Sequence, residues 1–103
     1  MKIIEILSDK ISEEISDAQA YARMALEYRE EYPDLARTLH ELSTEEMGHM
    51  NRLHGTVAEI IGNYRKTKGE PPAAMLAVYD YLHKKQIDRA AEVKEMQEMF
   101  KEA

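Results

Sequence analysis

Three ionisable side chains occupy positions where two helical patterns call for apolar residues. Glu14 interrupts one apolar stripe, and Glu46 and His49 interrupt the next. Because Glu46 and His49 are three residues apart, they project from the same face of one helical turn. Burying charges without a partner is costly, and no Lys or Arg falls on either stripe; Arg52 is predicted on another face. The face must therefore be a wet groove, an interface ion cluster or a cation site, and the joint pattern favours a bound cation. Carboxylate with imidazole suits iron, manganese or zinc.

Apolar residues recur at spacings of three and four on both sides of these positions, which is typical of amphipathic helices. The first stripe consists of Ile4, Leu7, Ile11, Ala18, Tyr21, Ala22, Ala25 and Tyr28. The second consists of Leu35, Leu39, Leu42, Leu53, Val57 and Ile60. A third, with Gln86 as its one polar member, consists of Met75, Tyr79, Leu82, Gln86, Ala90, Val93, Met96 and Phe100.

Prolines divide the chain into three predicted helices, over residues 3–31, 34–64 and 73–101, and we expect an all-α fold. A short turn at Pro33 makes the first two helices an antiparallel hairpin. Glu14 precedes this turn by about as many residues as Glu46 and His49 follow it, so all three should lie at one level. We expect one domain, with the hairpin within residues 1–64 and a packing or assembly helix at its C-terminal end.

The amino-acid composition and net charge of the chain exclude several classes of function. The 103 residues are 44% hydrophobic and 33% charged, which suits one soluble helical domain. The net charge of −6 argues against nucleic acid and anionic membranes as partners. The absence of Cys excludes an iron–sulfur cluster, a zinc ribbon and a thiol nucleophile. No apolar segment is long enough for a signal peptide or a membrane span, so we expect a cytoplasmic protein.

Residues 7–61 resemble the ferritin-like di-iron proteins, which take a Glu from one helix and Glu-x-x-His from the next, twice per bundle. The segment Glu46-Met47-Gly48-His49 is such a Glu-x-x-His, and Glu14 followed by Tyr21 is similar to the first helix of rubrerythrins. A second Glu with a second Glu-x-x-His is missing, as is a Cys-rich rubredoxin domain. In this respect the chain is more similar to encapsulated ferritins, which carry half a site per chain.

This resemblance implies a homodimer, or a higher even-numbered oligomer, in which two hairpins form a four-helix bundle around two irons. Glu46 would bridge the irons, Glu14 would be a terminal ligand, and His49 would bind one iron. Tyr21 is a candidate catalytic side chain beside them; a core tyrosine is the other interpretation. The resemblance also implies a protein nanocompartment as a partner, although residues 97–103 show no cargo tail of the expected kind.

The predicted activity is oxidation of Fe(II) by O₂ or peroxide, as a ferroxidase in iron storage or handling, or as an oxidoreductase protecting against oxidative stress. The alternative is a non-enzymatic helical assembly module, with or without a structural metal such as zinc. An iron protein would consume O₂ on addition of Fe(II), whereas an assembly module would not. His40 and His54 fall outside the ligand pattern and are predicted to be surface residues.

Overall fold

Three α-helices make up the computed structural model, which describes residues 1–102. They are α1 (Lys2–Glu27), α2 (Pro33–Lys68) and α3 (Ala73–Lys101). Each helix runs antiparallel to the one before it in the chain, and the three together form a rod of 55 × 19 × 18 Å. The predicted all-helical fold is confirmed, and no strand occurs in the described part of the chain. None of the helices within residues 1–102 is both long and apolar enough to cross a membrane.

The helix boundaries differ from the sequence prediction at two places. α1 ends at Glu27 rather than at residue 31, and the chain then makes one irregular turn in which the Tyr32 amide donates to the Tyr28 carbonyl at 2.9 Å. α2 continues to Lys68 instead of ending at residue 64. It stops at Gly69, whose φ of +86° lies in a region that favours glycine. Gly69 therefore ends the second helix, directly after a last turn that carries Arg65, Lys66 and Lys68.

Branched apolar side chains and alanines form the core between α1 and α2. The buried cluster consists of Ile4, Ile11, Ile15, Ala18, Ala22, Val57, Ile61 and Val93. Ile15 is fully buried although the predicted stripe omitted it, whereas Tyr21 and Tyr28 are only half-buried. The buried face of α1 is therefore rotated relative to the predicted one. This rotation leaves the edge that carries Glu14 and Tyr21 beside the core rather than within it.

α3 packs along the opposite side of the hairpin and is held there by polar contacts as well as by Val93. The buried Gln86 amide donates to the Ser8 carbonyl at 3.1 Å and to the Ser12 hydroxyl at 3.1 Å. Hydrogen bonding satisfies an amide that would otherwise be costly to bury. Gln86, the polar member of the third predicted stripe, thus makes specific hydrogen bonds with α1.

The prediction that His40 and His54 are surface residues is wrong, because both stack on side chains of α3. The ring centroids of His40 and Phe100 are 4.5 Å apart, and those of His54 and His83 are 4.4 Å apart. Burial lowers the pKa of His54, and the neighbouring His83 lowers it further. Burial also lowers the pKa of His40. The contacts of both rings therefore favour the neutral imidazole.

We predict that His54 makes the fold less stable under mildly acidic conditions. The pKa of His54 is lower in the folded chain than its ordinary value of 6.5. As pH falls through that value, the unfolded chain binds the proton first, so the contribution of His54 is complete above it and declines below it. His54→Phe keeps a ring against His83 and removes this titration.

Urea unfolding of metal-free protein at about pH 7.5 and about pH 5.5 should therefore show a smaller loss of unfolding free energy in His54→Phe than in the parent chain. Equal losses in the two proteins would contradict the prediction.

Candidate metal centre

The three singled-out residues come together on the side of the hairpin that α3 leaves uncovered. Glu14 lies on α1, and Glu46 and His49 lie on α2. One ligand atom from each residue lies within 4.8 Å of the others. The His49 Nδ1 atom is 3.5 Å from Glu14 Oε2 and 3.8 Å from Glu46 Oε2. The structure thus places these side chains at one level of the hairpin, as the turn position predicts.

Helical periodicity explains why these residues share a face. On α1, Leu7, Glu14, Tyr21 and Tyr28 recur every seven residues, or about two turns. On α2, the matching stripe consists of Leu35, Leu42, Glu46, His49, Leu53 and Ile60. Side chains that contact α3, such as Ser8 and Ser12, lie on the other side of α1. We call the side of the hairpin that carries these two stripes the open face.

Burial at the site is graded, not complete. The side chains of Glu14 and Glu46 are 26% and 20% exposed, and that of His49 is 55% exposed. The expectation that all three occupy core positions is therefore wrong for His49 in a single chain. A groove of about 310 Å³ beside the cluster is lined by Glu14, His49, Arg52, Leu53 and Thr56. Arg52, predicted on another face of the helix, thus borders the site.

The electrostatics of the site favour either a proton or a cation between the two carboxyl groups. A hydrogen bond with Glu14 raises the pKa of Glu46, and burial and the charge of Glu14 raise it further. The Glu14 Oε2 atom is buried and lies 3.5 Å from His49 Nδ1, without a hydrogen bond of good geometry. Leaving such an atom unpaired is costly. A bound cation would satisfy this oxygen and offset the repulsion between the two carboxyl groups.

The donor set therefore fits a metal ion. Two carboxylates and an imidazole are ligands that iron, manganese and zinc accept. Within residues 1–102 this is the one group of three or more His, Asp or Glu side chains that is suitably arranged. Tyr21, two turns beyond Glu14, is half-buried, and its hydroxyl has no hydrogen-bond partner in that part of the chain. The structure thus brings together two carboxylates and an imidazole that could hold a metal ion.

Sequence analysis missed Ser43, which lies next to this group. Its hydroxyl donates to the Ala18 carbonyl at 2.7 Å and accepts from the Gln97 amide at 2.9 Å. The available signal was a serine four residues after Leu39, at a position where the helical pattern calls for an apolar residue. A buried polar residue one turn from a ligand is a candidate to orient that ligand.

The sequence model of the rubrerythrin family matches residues 5–103. The match includes the hairpin with its half-site and extends through the third helix. Comparisons with curated proteins and with solved structures gave no match.

We predict that Glu46 destabilises the metal-free protein at neutral pH. Because the pKa of Glu46 is raised above its ordinary value of 4.5, the unfolded chain releases this proton more readily than the folded chain. The folded state is therefore penalised as pH rises above that value, and below it both states carry the proton. Glu46→Gln removes the penalty but also a ligand.

In the presence of a chelator, Glu46→Gln should have a higher Tm than the parent chain at about pH 7, with the difference disappearing below about pH 4. Glu45→Gln, at an exposed neighbouring position, is the matched control and should leave Tm nearly unchanged. A parent chain that is as stable as Glu46→Gln at neutral pH would show that the carboxyl groups do not conflict.

Proposed function

The chain belongs to the rubrerythrin family, within the ferritin-like di-iron superfamily, and on this premise we propose that it oxidises Fe(II) with O₂ or peroxide at a non-haem di-iron centre shared by two copies. The observation that carries the proposal is the convergence of Glu14, Glu46 and His49 on the open face. Ferroxidase chemistry is the activity that this donor set and family membership support best. Iron handling and protection against oxidative stress are the corresponding roles.

A second copy would complete the ligand set. One chain offers two carboxylates and one imidazole. A twofold axis along the open face would bring together four carboxylates and two imidazoles. Ligand sets of that composition hold two metal ions in ferritin-like bundles. The two hairpins would then form the four-helix bundle, with each α3 on the outside. Within residues 1–102 no second Glu-x-x-His is available to complete the site in one chain.

Apolar exposure supports a partner at this face. Leu35 of α2 is 47% exposed, and Ile3, about three turns before Glu14 on α1, is 44% exposed. Leu42 of α2 is half-buried. Removing such side chains from water would favour association. A partner would also cover His49, whose exposure in the single chain is otherwise high for a metal ligand. An apolar bundle interior around the ligands would limit access of water to them.

Each side chain has a proposed role in the centre. Glu46, which faces the partner across the proposed axis, is suited to bridge two ions, with Glu14 as a terminal ligand and His49 on one ion each. The bound irons would supply the electrons that reduce O₂ or peroxide. A bound metal would favour the ionised form of Glu46, because a carboxyl group ligates as the carboxylate. The Tyr21 hydroxyl is free to donate a hydrogen bond within the assembled site.

We predict that the iron content and the oligomeric mass of the protein will change together when a ligand is removed. Protein purified with Fe(II) should be a dimer, or a multiple of one, with about two irons per pair of chains. Glu46→Ala and His49→Ala should each remove the iron, because the first variant loses two of the four carboxylates of the proposed centre and the second loses both imidazoles. Native mass spectrometry with elemental analysis measures both quantities, and Glu45→Ala is the matched control.

Oxygen consumption on addition of Fe(II) should accompany iron binding in the parent chain and be absent in His49→Ala. A protein that binds zinc but neither retains iron nor consumes O₂ would favour the structural-module alternative. Retention of two irons per dimer by Glu46→Ala would overturn the ligand assignment.

We also predict that a charge on the open face separates the chains. Leu42→Glu places a carboxylate in the proposed interface, so the dimer should weaken by at least about tenfold and bound iron should be lost with it. Val78→Glu, on an exposed part of α3, is the control and should change neither quantity. Analytical ultracentrifugation across a concentration series measures the association; an unchanged dimer in Leu42→Glu would exclude this face.

A further inference from the structure

A buried polar bridge connects all three helices close to the candidate centre. Ser43 of α2 is fully buried, and its hydroxyl donates to the Ala18 carbonyl of α1 at 2.7 Å. The same oxygen accepts a hydrogen bond from the Gln97 amide of α3 at 2.9 Å. Because the bridge has one member on each helix, a displacement of any helix would stretch at least one of its bonds.

The bridge lies one helical turn from both carboxylates. Ser43 precedes Glu46 by three residues, and Ala18 follows Glu14 by four. Residues at these separations are neighbours on one helix. A short hydrogen bond is directional, whereas apolar contacts tolerate sliding of one surface over another. The bond from Ser43 to Ala18 therefore fixes the axial position of α1 against α2 at the level of the ligands.

The hydroxyl of Ser43 behaves differently from other hydroxyls on its helix. Those of Thr44, Thr56 and Thr67 each donate to the carbonyl four residues earlier in α2, at 3.0–3.1 Å. This local bond is the usual choice for Ser and Thr within a helix. Ser43 instead donates across the hairpin. Its oxygen accepts the Gln97 amide from the side, which leaves its hydrogen available for the Ala18 carbonyl.

We infer that Ser43 and Gln97 are positioning residues that hold Glu14 level with Glu46 and His49, so that α3 shapes the metal centre without contributing a ligand. This inference rests on the proposed function in so far as it concerns metal. Metal ligands must be held to within about 0.5 Å of productive geometry, and the groups that orient them change affinity when they are lost. The bridge supplies such a constraint from a helix on the far side of the hairpin.

Two variants test the bridge in different ways. Ser43→Ala removes the hydroxyl. Gln97→Glu keeps the shape of the side chain but replaces the donor with an acceptor, which should draw the Ser43 hydroxyl away from Ala18. Ser8→Ala is the matched control, because Ser8 is also a buried serine that accepts a bond from a glutamine of α3, at 3.3 Å from Gln86. Ser8 bridges α1 and α3 only, away from the ligands.

Titration with Co(II), followed by its visible absorption, reports both affinity and ligand geometry. Ser43→Ala and Gln97→Glu should bind Co(II) at least about tenfold more weakly than the parent chain and with an altered spectrum. Ser8→Ala should lower Tm by a comparable amount while keeping the affinity and the spectrum of the parent. If all three variants lower Tm by a similar amount and bind Co(II) as the parent does, the bridge is only structural and the inference is overturned.

A second measurement separates the bridge from the proposed function. The chain has no Cys, so nitroxide labels on Glu13→Cys and Glu45→Cys report the distance between exposed neighbours of the two ligands. With labelled chains diluted in unlabelled ones, Ser43→Ala should broaden or shift this distance in metal-free protein, and Ser8→Ala should not. An unchanged distance would overturn the positioning role. A parent chain that binds no metal, with a broadened distance in Ser43→Ala, would instead refute the proposed function and leave the role in register intact.

Discussion

The juxtaposition of Glu14 and Glu46 is the constraint on which the other features of the hairpin depend. Two carboxyl groups on facing helices raise each other's cost of ionisation, and here Glu46 shows that cost in its raised pKa. His49 contacts both groups but supplies at most one positive charge. The packing must therefore hold together an arrangement that is unfavourable until a cation binds. The proposed function would thus be achieved at the expense of the stability of the metal-free fold.

The fold meets this constraint by separating the two sides of the hairpin. On one side, α3 covers the core with Val93 and with amide contacts from Gln86 and Gln97. On the other side, the ligands and a row of leucines are left uncovered. A third helix packed over the ligands would have excluded a second set of donors. The placement of α3 therefore leaves the Glu14, Glu46 and His49 group open, as the proposed shared site would require.

Sequence periodicity was sufficient to predict the helices and the common level of the ligands, because a turn of known position fixes which residues of a hairpin face each other. It was not sufficient to orient the helices fully. Ile15 proved to be core and Tyr21 peripheral, since a stripe shows which residues share a face but not which neighbour covers it. His40 and His54 were misassigned for the same reason: their partners lie on α3, distant in sequence.

Association and metal binding are thermodynamically linked if each chain holds half of the ligands. A metal ion bound by two chains stabilises the dimer by the same free energy by which the dimer strengthens metal binding. Glu14 and Glu46 oppose each other in the single chain, and a cation bound between them would relieve this opposition. A chain of this size buries a limited core of its own. The assembled and loaded state is then more stable than its parts, and the unpaired oxygen of Glu14 marks where that stability is gained.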